Sequence, residues 1–178
     1  MADFSVNGPN IKNHDFDFTK KFIKAYNSSS SIRFDDWKND CIGADYESSI
    51  LLQIDIEGDE YSVIPTIEKS TLKQTEILIV EFHHLTRILN HDYQKYIVGC
   101  LERILEFFDP VHLHVNNSSN VLLANDLSIP HLLEATFVNK KFVTDRNYEF
   151  VKNHPNKLDK PNISSNEDIK LPNNWFRN

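Results

Sequence analysis

Hydrophobic and polar positions are most sharply ordered between residues 50 and 139. Ile50–Ile56 is a β-branched and aliphatic run, which predicts a buried strand. Gly58 breaks it, and Asp59–Ile67 predicts a short helix ending near Pro65. Ile77–His83 predicts a second buried strand. Leu89, Tyr93, Tyr96, Ile97, Cys100, Leu101, Ile104 and Phe108 then recur three and four apart, the stripe of an amphipathic helix. Asn90 is placed to cap its start, and Asp109-Pro110 to stop it. Val111–Val115 predicts a third strand, Val121–Ala124 a short one and Leu132–Val138 the last. Upstream, Phe18–Tyr26 predicts a short helix and Asn27–Ser31 a break. Ile32–Asp40 predicts a strand end and a few helical turns, with Asp35 and Asp36 at the helix start.

Strands alternating with helices imply parallel pairing through right-handed crossovers. The last two long strands have no helix between them and should pair antiparallel. The expected fold is therefore α/β, with a mixed parallel and antiparallel sheet and flanking helices. Three regions follow: a polar, helical arm over 1–31, an α/β core over 32–144, and an irregular arm rich in Asn, Lys and Pro over 145–178.

Composition narrows the function. The chain has 178 residues and a net charge of -7. That argues against non-specific nucleic-acid binding, which requires a basic face to neutralise phosphates. No apolar run approaches the ~20 residues of a membrane span, and MADFSVNGPN lacks a signal-peptide pattern. Cys41 and Cys100 match no metal spacing and read as free thiols, so the expected location is the cytoplasm. No Gly-x-Ser-x-Gly elbow and no Walker loop is present.

Chemistry concentrates on the polar faces of the strands. Successive strand side chains point to opposite faces, so Gln53, Asp55 and Glu57 share one, Glu81 and His83 share one, and His112, His114 and Asn116 share one. Each set leads to the carboxyl end of its strand, where open α/β sheets bind ligands. A sheet with one wet face would give the same stripes without a site. Parallel strands are normally covered on both faces, which favours a site at Asp55 and Glu57. His83, His112, His114, Glu57 and Asp55 are suitable metal-ligand types, and His112-x-His114 is a spacing found in metal strands. The sequence alone assigns no metal.

Ile54-Asp55-Ile56-Glu57-Gly58-Asp59-Glu60-Tyr61 resembles the Asp-x-Glu-Gly-x-Glu signature of FkbM-type methyltransferases. Further segments resemble that family in the same order. They are Ile79-Val80-Glu81-Phe82-His83, then Val111-His112-Leu113-His114-Val115-Asn116-Asn117, then Leu133-Glu134-Ala135-Thr136-Phe137, and the tail from Lys160-Pro161-Asn162 to Asp168-Ile169. The resemblance spans roughly residues 30–172.

The resemblance implies a Rossmann-like, S-adenosylmethionine-dependent sheet. This chain would supply that family's strands four, five, seven and six, with the seventh antiparallel. It implies that Asp55 lies next to the methyl group of the cofactor. Glu57 and His83 would line the acceptor side, where a carboxylate or imidazole takes the proton of an acceptor hydroxyl. Glu81, His112, His114, Asn116 and Asn117 would contact the acceptor, a small molecule or sugar. The family holds its cofactor with a glycine-rich turn and a ribose-binding acid from its first three strands. The four glycines here form no Gly-x-Gly, so the cofactor half is expected to be missing. Three readings follow: a shortened binding module, a half-enzyme that needs a partner chain, or an unrelated metal-assisted hydrolase using the His and carboxylate stripes. A missing half would leave the strand near 50–57 with an unpaired edge, through which a homodimer or a partner chain would associate.

Overall fold

The computed structural model describes residues 1–8, 16–124, 127–144, 154–172 and 175–176. In chain order the elements are β1 (Phe22–Lys24), β2 (Ser31–Arg33), α1 (Phe34–Ile42), β3 (Ile50–Ile54), α2 (Glu60–Val63), α3 (Lys69–Gln74), β4 (Thr75–Phe82), α4 (His91–Phe107), β5 (Phe108–Val115), β6 (Val121–Ala124), β7 (Leu127–Pro130) and β8 (Leu133–Asn139). Single 3-10 turns at Ile64–Thr66 and Leu85–Leu89 link α2 to α3 and β4 to α4. The main sheet has the order β3-β4-β8-β5. β3 and β4 are parallel, and β8 runs antiparallel to both β4 and β5. This is a mixed four-strand sheet in an α/β chain, as the alternating pattern predicts.

The sheet has one dry face. Leu52 lies opposite Leu78 and Ile54 opposite Val80; Leu78 in turn faces Phe137, and Val80 faces Ala135. These side chains join Ile97, Cys100 and Ile104 of α4 in one buried core. At ~25 cal/mol per Å² of apolar surface removed from water, such burial is the main favourable contribution to folding. α4 begins at its expected cap, where the Asn90 side chain accepts a hydrogen bond from the Asp92 amide at 2.9 Å. Its buried row is narrower than the sequence stripe suggests: Leu89, Tyr93 and Tyr96 are exposed. The helix packs against α2 and the Ile64–Thr66 turn, and the Arg87 guanidinium, 4.8 Å from the ring centre, covers Tyr93.

Several expected elements are replaced. Phe18–Tyr26 is not a helix; Phe22–Lys24 is a strand paired in parallel with β2. Phe22 is exposed and Ile23 buried, a period of two that the Lys-rich spacing around it obscures. Phe108 leaves the helix to start β5, and Pro110 lies within that strand rather than before it. β5 is an edge strand with a register shift between Pro110 and His112, a setting in which a proline costs no ladder hydrogen bond. Asp35 does more than start α1. It is buried, and its carboxylate accepts from the Thr71 hydroxyl at 2.8 Å and the Glu68 amide at 3.0 Å, tying α1 to α3.

The face opposite α4 is only partly covered, contrary to the expectation for parallel strands. The C-terminal arm crosses its β5–β8 half. Asp159 reaches His112 at 3.0 Å, Asn162 donates to Glu134 at 2.8 Å, and Asp168 reaches His114 at 3.2 Å. Residues 145–153 of that arm lie outside the described residues. On the β3 side, Leu51, Gln53 and Asp55 are exposed. Among the described residues no strand pairs with the outer edge of β3.

Candidate functional site

β3 and β4 both end one residue before their chemistry begins. β3 stops at Ile54 and β4 at Phe82, so Asp55, Glu57 and His83 stand on the turns that follow. Both turns carry a non-glycine residue in the left-handed region, Glu57 (φ 58°) and His84 (φ 56°). Such positions cost free energy and persist only where the surroundings enforce them. Gly58 follows at φ 107°, and a Cβ there would meet the His84 ring at 3.1 Å. Gly58→Ala should therefore lose about 1–2 kcal/mol of stability, more than an ordinary turn glycine. A urea melt of that variant indistinguishable from the parent would mean the turn is not held as described.

The turns converge on His83, which is only 7% exposed. Its Nδ1 lies 3.1 Å from Glu60 Oε1. Its Nε2 lies 3.4 Å from Glu57 Oε2 and 3.8 Å from Asp55 Oδ1. Tyr61 fixes the same tip by donating its hydroxyl to the His83 carbonyl at 2.8 Å. Glu60 is fully buried in the first turn of α2. Its Oε1 also accepts from the Ile56 amide at 3.2 Å and the Gly58 amide at 3.1 Å. One carboxylate thus locks the β3 turn and the imidazole together.

The electrostatics follow from this arrangement. The hydrogen bond to Glu60 lifts His83 to about 9; burial opposes the rise, and the Glu60, Glu81 and Glu57 charges add to it. Burial pushes Glu60 up, but the bonds from His83 and the Gly58 amide outweigh it and hold the carboxyl below its ordinary value. Asp55 is raised, by burial first and by Glu57 and Glu60 beside it, against the pull of His83. Glu81 is raised by burial and by Asp55, against its hydrogen bond from Asn116.

The remaining residues singled out in the sequence fall into two groups. Glu81 belongs with the site: a ligand oxygen of Asp55, one of Glu81 and a ring nitrogen of His83 all lie within 4.8 Å of one another. Asn116 reaches across from the end of β5 to donate to Glu81 at 2.8 Å. His112, His114 and Asn117 are engaged by the C-terminal arm. His114 lies between Glu134 (3.5 Å) and Asp168 (3.2 Å). Asn117 donates to the carbonyls of Ile163, Asn166 and Glu167 and accepts from the Ile163 amide.

Sequence reasoning gave Glu60 no role, although it closes the acidic signature. Its signal was a carboxylate in the first turn of a helix directly after a glycine turn, where it can reach back to free amides. The pair His84 and His131, with ring nitrogens 2.9 Å apart, and Thr86, 3.0 Å from His131, were also missed. Their partners lie 45 and 47 residues apart in sequence, beyond any local pattern. Compared with known protein families, curated proteins and solved structures, the chain matches none. No helix among the described residues is long and apolar enough to cross a membrane.

Proposed function

We propose that this chain is the acceptor-side half of a methyl-transferring α/β sheet of the FkbM type, and that it holds a hydroxylated small molecule or sugar at the ends of β3, β4 and β5. The observation that carries this reading is the sheet order β3-β4-β8-β5 with β8 reversed. It is the order and direction that the family resemblance implies for the last four strands. The acidic tip of β3 lies at the carboxyl end of the parallel pair, where such sheets take their ligands.

S-adenosylmethionine does not fit the residues described beside that tip. The four glycines are dispersed along the chain, and β1 and β2 pair with each other rather than with β3. β1 packs against α2 and reaches the site's turn through the Lys24–Asp59 ion pair. In this reading the donor is held by strands of another chain or segment added to the outer edge of β3.

The chain's own residues divide the proton work. His83 carries its proton at neutral pH and serves as a charged donor toward the acceptor. The raised carboxyl of Asp55 is the proton acceptor for a hydroxyl seated beside it, because a base works best with a pKa closer to the working pH. Glu57, with an exposed side chain, and Glu81, held by Asn116, border the seat.

The deciding experiment pairs two titrations. Calorimetry with S-adenosylmethionine should give no saturable heat, whereas a panel of sugars and polyols should shift the His83 ring resonances in the parent and not in Asp55→Asn. Micromolar binding of S-adenosylmethionine by the isolated chain would replace the half-fold reading with that of a self-sufficient enzyme. A panel without any effect on His83 would remove the acceptor site.

A further inference from the structure

We propose that Asp55, Glu81 and His83 form a binding site for one divalent transition-metal ion, of the manganese or zinc class. Each residue offers one ligand atom, and the three atoms lie within 4.8 Å of one another. Ligands bound at ~2.0–2.2 Å around one ion stand about 3–3.5 Å apart, and Asp55 Oδ1 already stands 3.8 Å from His83 Nε2. Two carboxylate oxygens and one imidazole nitrogen suit manganese, zinc or iron better than calcium, which prefers an all-oxygen cage.

Three features beyond the cluster point to an ion. The first is His83 itself. It is more than nine-tenths buried, its Nδ1 is taken by Glu60, and its Nε2 makes no hydrogen bond among the described residues. That nitrogen faces Glu57 at 3.4 Å and Asp55 at 3.8 Å. A histidine whose second nitrogen is held by a buried carboxylate is the usual arrangement of a ligating imidazole. The second is Asn116, which holds Glu81 Oε1 at 2.8 Å and orients that carboxylate from behind. The third is charge. Asp55, Glu57, Glu60 and Glu81 surround a single imidazole, while the nearby Lys24 is taken by Asp59. Carboxylates so placed leave a negative hollow that a divalent ion neutralises.

Three protein ligands leave open positions on the ion, as in sites that bind a substrate oxygen. Asp55, on the exposed side, is the way in. Binding displaces the Nε2 proton of His83 to solvent. The site does not rest on the methyl-transfer reading: it stands on side-chain placement alone, and an ion bound without any effect of sugars would keep it while removing the acceptor.

The test uses the full chain stripped with a chelator, dialysed free of it, and titrated with manganese, zinc and cobalt. One equivalent of ion with micromolar affinity is expected, and cobalt should shift the His83 ring protons paramagnetically. Asp55 is exposed, so Asp55→Asn should fold normally by circular dichroism and lose at least ten-fold in affinity. Glu81→Gln should do likewise. Glu60→Gln, a positioning change, should weaken binding about 10–100-fold and alter the cobalt-shifted His83 signals without abolishing the fold. Glu106→Gln, near the end of α4 and paired with Lys69 and Arg103, should leave binding unchanged. No bound equivalent in the folded parent, or binding unaltered in both Asp55→Asn and Glu81→Gln, overturns the proposal.

Discussion

Replacing Glu60 by alanine is expected to return the His83 pKa from about 9 toward its ordinary value and to destabilise the chelated protein by about 3 kcal/mol. The hydrogen bond from Glu60 is the largest cause of the rise, so its removal should dominate the titration of the ring. The pH dependence has a definite sign. His83 is raised in the folded state, so its contribution is complete below the unfolded value of 6.5 and is lost as pH climbs through about 9. Glu60 is lowered, so its contribution is present above 4.5 and is lost as pH falls through its folded value. Stability should therefore be greatest between these limits and should decline on the alkaline side. In Glu60→Ala that alkaline decline should vanish, and the Ile56 and Gly58 amides lose their shared acceptor. Urea melts at stepped pH, with NMR titration of the ring protons, measure both effects. A decline that persists in the variant would mean that another group holds the proton on His83.

Phe82→Ala should be costlier still, about 3–5 kcal/mol. Phe82 is 1% exposed, stacks with Tyr61 at 6.0 Å and meets Phe137 edge-on at 6.4 Å. It is the last residue of β4, directly before His83, so the void opens beneath the candidate site. Single domains are held by only about 5–15 kcal/mol, and a loss of this size consumes a large share. Chemical denaturation should show a lower midpoint with an unchanged slope. Phe82→Leu, which keeps most of the volume, should recover the greater part. Equal midpoints for the alanine variant and the parent would show that this ring does not carry the core.

The parts of the fold that could be read from the sequence are those set by local periodicity. Ile50–Ile54, Thr75–Phe82 and Leu133–Asn139 alternate or run apolar because they lie over one core, and the long helix announces itself through Ile97, Cys100 and Ile104. β1 escaped because three residues are too few for any period to emerge. Only half of the site was equally legible. Asp55 and His83 stand where strand ends deliver them. Their meeting, however, depends on left-handed turns at Glu57 and His84, which no hydrophobic pattern encodes. The role of Glu60 depends on burial, and an acid in an EGDEY turn reads as solvated until its surroundings are known. The engagement of His112 and His114 by Asp159 and Asp168 was hidden for another reason. An irregular arm has no period, and its contacts span some fifty residues, as the 54-residue separation of His114 and Asp168 illustrates.

The two margins of the main sheet differ in a way that governs how it can grow. At one margin, Pro110 and the register shift beside it spoil β5 as a template, and His154 already occupies the Leu113 carbonyl. At the other, the segment ILLQI of β3 contains no proline or lysine; its outer side is unpaired among the described residues, and its register shift, between Ile50 and Leu51, lies at its start. Addition is therefore one-directional. Two copies joined back to back along β3 would present only their proline-bearing margins outward, and a fibril could not propagate from such a pair.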